Sequence, residues 1–140
     1  MQPDDARHAD TSAWLAKAQL DLRSAEHALA AAPPLHEDVL FHCQQTVEKA
    51  MKAWLTFHDV PFRRTHSLEE LGRQCVAVDS RLQRLVDQAA PLTEYAWRFR
   101  YPGEAEPPGR EETEEALHTA RTALAVLLEC LPPPTHPHSG

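Results

Sequence analysis

Glycine is scarce in this 140-residue chain, at four residues, and aromatic side chains make up only 6%. So few glycines leave no glycine-rich loop of the kind that cradles phosphates. No stretch of about 18 apolar residues occurs, so no segment reads as a membrane-spanning helix. The opening Met1-Gln2-Pro3-Asp4-Asp5 has neither a basic region nor an apolar one, and does not read as a secretory signal. A cytoplasmic location is the expectation. The three cysteines, Cys43, Cys75 and Cys130, are odd in number and far apart, and they lie within apolar helical patterns. They read as buried free thiols rather than disulfides. No segment alternates with period two for long enough to make a strand. A net charge of -7 argues against indiscriminate nucleic-acid binding, which rests on neutralising phosphates.

Helical signals fill the space these absences leave. At this length there is room for one domain with a real core. Residues 1–10 read as a flexible N-terminus. Thr11 or Ser12 is then placed to cap a first helix whose stripe is Leu15, Ala18, Leu22, Ala25 and Leu29, ended by Pro33-Pro34. A second helix runs from near Leu35 to about His58, where Asp59-Val60-Pro61 stops it. Ser67-Leu68-Glu69-Glu70 has the form of a capping box and opens a third helix to about Val76. Asp79 or Ser80 caps a fourth, with Leu82, Leu85, Val86 and Ala89 facing inward; Pro91 either kinks it or starts a fresh turn, and Pro102-Gly103 ends it. The last helix carries Glu111, Glu112, Glu114 and Glu115 in its first turns, and Leu117, Ala120, Leu124, Leu127 and Leu131 on its inner side. Residues 132–140 read as a disordered proline-rich tail. Together these predict an all-α fold, an up-and-down bundle of four to five antiparallel helices over residues 11–131.

The second helix is the most informative. Val39, Cys43, Val47, Ala50, Met51 and Trp54 form a broad apolar arc, and His42, Gln45, Lys49 and Lys52 fall on a narrow polar arc away from it. An imidazole, an amide and two amines in a row suit an anion; the same four residues also suit a solvated helix face. Gln44 borders the apolar arc and reads as a hydrogen-bonder in the core or at a dimer interface. Charge is spread unevenly. Residues 49–100 hold nine Lys or Arg against six Asp or Glu, a local balance of +3, while the rest of the chain stands at -10. The basic share includes Arg63, Arg64, Arg98 and Arg100. Arg98 and Arg100 are two apart, so only one is expected to face any cleft.

The blocks Phe41-His42-Cys43-Gln44-Gln45, Glu48-Lys49-Ala50 with Lys52-Ala53, Thr65-His66-Ser67-Leu68, and Tyr95 with Arg100-Tyr101-Pro102 resemble the HEPN domain, the higher eukaryotes and prokaryotes nucleotide-binding family. Trp14-Leu15, Ala18, Asp21-Leu22 and Ala25 match that family's opening helix, and the resemblance covers roughly residues 12–131. It implies a helical bundle, commonly a homodimer. It also implies a nucleotide or RNA ligand and a separate minimal nucleotidyltransferase subunit, in some cases as a toxin–antitoxin pair. No Gly-Ser followed by Asp-x-Asp occurs here, so nucleotidyl transfer would come from that partner. The family's metal-independent ribonucleases carry Arg, four to six residues, then His. In this chain Arg23 precedes His27 by three intervening residues and Arg110 precedes His118 by seven, while Glu104 and Ala105 stand where a histidine is wanted. The expectation is a non-catalytic subunit with no catalytic residues assigned. A ribonuclease built on an unusual set such as His66 with Arg100, and a dimeric scaffold without ligand, are the alternatives. No metal or cofactor is expected, since His136-x-His138 stands in the tail without further ligands. The candidate ligand-binding residues are His42, Gln45, Lys49, Lys52, His66, Arg98, Arg100 and Tyr101. If the polar arc has a function, Lys49, Lys52 and His42 are expected to converge with Arg100 or His66 on one concave surface lined by aromatic groups such as Tyr101.

Overall fold

The computed structural model describes residues 3–103 and 106–137, among which there is no strand. Five α-helices carry the fold: α1 (Pro3–Ala30), α2 (His36–Phe57), α3 (Leu68–Val78), α4 (Gln83–Ala89) and α5 (Arg110–Cys130). Short 3-10 turns cover Ser80–Leu82, Ala90–Ala96 and Pro133–Thr135, so the fourth α-helix stops at Ala89 and not at the expected Pro102-Gly103, because Pro91 has no amide hydrogen to continue the ladder. The result is the expected all-helical bundle.

α1 and α2 form an antiparallel hairpin. Asp21 meets His42 and Lys49, Trp14 lies against Lys52, and His8 stacks on Phe57. After α2 the chain climbs back beside it, so that the His66 carbonyl accepts from Gln44 Nε2 at 3.0 Å. α3 then descends alongside α2, with Cys75 Sγ 3.9 Å from the Met51 carbonyl oxygen. α4 and the turn after it return antiparallel to α3, and Thr93 Oγ1 accepts from the Leu68 amide at 3.1 Å. α5 fills the remaining side, joined to α2 by His36–Thr113 and to α1 by Arg121–Glu26. α2 is therefore the central helix. Its apolar arc is fully enclosed, and Val39, Cys43, Val47, Ala50 and Met51 are all inaccessible.

Local chemistry explains most helix ends. Ser67 caps α3 by accepting from the Glu70 amide, as its position predicts. The reciprocal half of the box does not form, because Glu70 is turned to Arg63 Nε at 2.7 Å. Asp79 accepts from the Arg81 amide and is chelated by the Arg81 guanidinium, which holds its carboxyl down to about 2. α2 ends in a Schellman arrangement: Val60 N–H reaches the Leu55 carbonyl, Asp59 N–H reaches that of Thr56, and Asp59 sits at φ 57°.

Three further expectations need correction. α1 does not start at a Thr11 or Ser12 cap; it starts at Pro3, with Asp4 and Asp5 in its first turn. Proline is tolerated at a first helical position, and Arg7 and His8 dock on Phe57, so packing extends the helix through residues expected to be flexible. Thr11 lies buried mid-helix, its hydroxyl donating to the Arg7 carbonyl. The tail is also folded as far as Pro137. Thr135 is buried, and the His136 ring donates from Nε2 to the carbonyls of Leu128 at 2.7 Å and Leu131 at 3.0 Å, capping the end of α5. His138 lies outside the described residues.

The third correction is Cys130, which ends α5 on its exposed side, whereas Cys43 and Cys75 are buried. Burial pushes both of those thiols up to about 12. The thiolate is the reactive form, so native protein should show one thiol titrating rapidly with a disulfide reagent, and three in denaturant.

Candidate functional site

The polar arc of α2 faces α1. Asp21, on α1 between the small residues Ala18 and Ala25, approaches closely enough to take His42 Nδ1 on one oxygen at 2.9 Å and Lys49 Nζ on the other. Glu48, next to Lys49 on α2, is 3% exposed and gathers a larger set. His66 Nδ1 lies 2.8 Å away, Gln44 Nε2 and Lys52 Nζ each 3.1 Å, and Gln45 Nε2 3.5 Å. Lys52 is itself 8% exposed, and its ammonium sits 5.5 Å from the Trp14 ring and 5.8 Å from that of Phe62. Three of the arc's four candidates are thus engaged by two carboxylates of the same chain, and the fourth, Gln45, donates to Gln44 Oε1 at 2.7 Å.

The candidates do not converge on one concave surface. His42 and Lys49 belong to Asp21; Gln45, Lys52 and His66 belong to Glu48. Arg98, Arg100 and Tyr101 lie apart from both, beyond the turn Ala90–Ala96. No hydrogen bond or ion pair joins the three groups among the described residues. Hydrophobic periodicity reveals which residues share a face. It does not reveal whether that face meets water or another helix, and here a helix with its own carboxylate covers it. Asp21 and Glu48 are the organising residues that the reading of the arc left out. Their signal was present in the sequence as an acidic residue inside each motif block.

At the start of α2 the arrangement differs. Glu112 of α5 accepts from Tyr95 Oη at 2.7 Å and from Arg98 Nη1 at 2.8 Å on the same oxygen. The Arg98 guanidinium lies 4.9 Å from the Phe99 ring centre, and Tyr95 and Phe99 stack with centroids 6.2 Å apart. Burial, and then the bond to Glu112, push the Tyr95 phenol well above its usual range, so it stays a neutral donor. Arg98 is consumed in holding this aromatic pair. Arg100, two residues on, turns the other way and lines a cavity of about 230 Å³ together with Phe41, Trp97, Phe99, Glu37 and Asp38. Trp97 is 51% exposed and Phe41 also reaches solvent, although large aromatics normally bury. Phe41 could have been found from the sequence, since it stands at the edge of the polar arc rather than in the apolar one. Tyr101 lies in the exposed turn after Arg100 and does not line the cavity. Glu104 and Ala105, where the ribonuclease histidine is wanted, lie outside the described residues. No group of three or more histidine, cysteine or carboxylate ligands is placed to hold a metal ion among the described residues, and no helix there is long and apolar enough to cross a membrane.

Comparison with curated proteins and with solved structures returned no match. A family model for the HEPN domain matches residues 11–131, a span that includes α2, the Asp21 and Glu48 clusters and the whole aromatic cavity. The chain belongs to the HEPN domain family.

Proposed function

We propose that this HEPN chain is a non-catalytic subunit that binds a nucleotide or an RNA end in the cavity beside Arg100. Family membership supports a nucleotide- or RNA-related role. The observation that carries the reading is that the exposed Trp97 and Phe41 line one small cavity together with Arg100. An aromatic face stacks any base, and an arginine donates to phosphate or base oxygens. The α2 arc is assigned to stability instead, because its cations are spent on Asp21 and Glu48. Nucleotidyl transfer would come from a separate subunit, possessing the metal-binding carboxylates this sequence lacks, and the two would act as a pair of the toxin–antitoxin kind.

The test is calorimetry with mononucleotides, with and without that subunit. Wild type should bind; Trp97→Ala and Arg100→Ala should each weaken binding about tenfold or more, given roughly 1–3 kcal/mol for one stacked base. Lys49→Ala should bind as wild type does. Loss of binding in Lys49→Ala with none in Trp97→Ala would return the site to the arc.

A second copy of the chain is also part of this reading. Leu20 and Leu35 are exposed apolar side chains that a small bundle leaves uncovered. Solution mass at micromolar concentration should be near twice the 15.7 kDa chain; a value near 16 kDa would sink the dimer.

One observation favours a ribonuclease as the alternative. His66 is held by Glu48 through Nδ1 while its side chain is 63% exposed, which leaves Nε2 presented to solvent as a base. Metal-independent cleavage of single-stranded RNA, abolished by His66→Ala, would replace the non-catalytic reading.

A further inference from the structure

The Arg100 cavity contains more than stacking requires. Aromatic faces and a guanidinium suffice to hold a base and its phosphate, yet Glu37 and Asp38 also line the space. Both are exposed, in the first turn of α2, and neither side chain takes a hydrogen bond from the chain among the described residues. Two carboxylates repel a phosphate. An ionised carboxylate can only accept hydrogen bonds, so it favours a ligand edge that presents donors.

The bases differ sharply on that criterion. Guanine offers N1–H and the N2 amino group side by side, a spacing that fits the two oxygens of one carboxylate. On its other edge O6 and N7 accept together, which matches the fork of an arginine. Adenine and cytosine bring one amino group flanked by an acceptor. Uracil brings one N–H between two carbonyls, which a carboxylate would repel. Volume narrows the ligand further. At about 230 Å³ the cavity falls below the ~300–1,000 Å³ of clefts that enclose whole drug-sized ligands, so a single ring system is what it can cover.

Resting on the reading of this cavity as the nucleotide site, we propose that it selects guanine: Trp97 and Phe41 take the ring faces, Glu37 or Asp38 accepts from N1 and N2, and Arg100 donates to O6 and N7. The base supplies most of the recognition, and the phosphate little, on an acidic chain. A guanine mononucleotide and the unpaired guanine at an RNA end share this chemistry.

The experiment is calorimetry on the full chain with GMP, AMP, CMP and UMP, and with short single-stranded RNAs ending in G or in U. GMP should bind at least tenfold more tightly than UMP, with little weakening between low and moderate salt. The double variant Glu37→Gln/Asp38→Asn should lose that preference while its affinity for UMP is unchanged or better. RNA ending in G binding more tightly than GMP would assign the RNA end as the source, and equal binding would assign the free nucleotide. Equal affinity for all four nucleotides, abolished by Trp97→Ala, would overturn the guanine selection while leaving the cavity a nucleotide site. Absence of binding by every nucleotide and RNA would overturn both.

Discussion

Glu48→Ala should destabilise the protein by about 3–5 kcal/mol, the cost of stripping the partner from a buried charge. Lys52 is almost as buried as Glu48, and would be left with only the faces of Trp14 and Phe62. Gln44, fully buried, would lose its acceptor on Glu48, and the loop that carries His66 would lose one of its two ties to α2. Urea unfolding measures the loss. The double variant Glu48→Ala/Lys52→Met should recover a large part of it, because removing both charges leaves no ion unpaired. A single-variant cost under about 1 kcal/mol would mean that water reaches Lys52 easily, and that the cluster contributes no more than an exposed ion pair.

Gly72→Ala is expected to cost about 1–3 kcal/mol by overpacking. Gly72 is buried on α3 where α4 crosses it, and a Cβ there would stand 2.3 Å from Val86 Cγ1. The change would otherwise favour a helix, since alanine is the better helix former by nearly 1 kcal/mol. The clash therefore has to outweigh that gain before any loss appears. Val86→Ala opens the space, so Gly72→Ala introduced into that background should be neutral or stabilising. Equal losses in both backgrounds would place the cost in the α3 backbone instead of at the α3–α4 contact. The same contact positions the turn Ala90–Ala96, and through it Tyr95 and Arg100, so Gly72→Ala should also weaken any ligand held by the cavity.

The helices themselves were legible in the sequence because their causes are local. Pro33-Pro34, the Asp59-Val60-Pro61 stop and the Ser67 cap act within a few residues of where they stand, and the leucine stripe of α5 is buried along its length. The start of α1 was not legible, because residues 3–10 gain their support from Phe57, fifty residues away in the chain. The same holds for the tail, which is held by carbonyls at the end of α5. The candidate site divides along the same line. The sequence singled out α2 and placed Arg100 among eight candidates, both from motif and spacing. It left the polar arc open between an anion site and a solvated face, whereas the fold sets His42, Lys49 and Lys52 against α1, because a face's destination depends on the neighbouring helix and its complementary charge. The cavity belongs entirely to the tertiary structure. Glu37, Phe41, Trp97 and Arg100 come from two segments more than fifty residues apart, and only the return of the chain through α4 brings them to one end of the bundle.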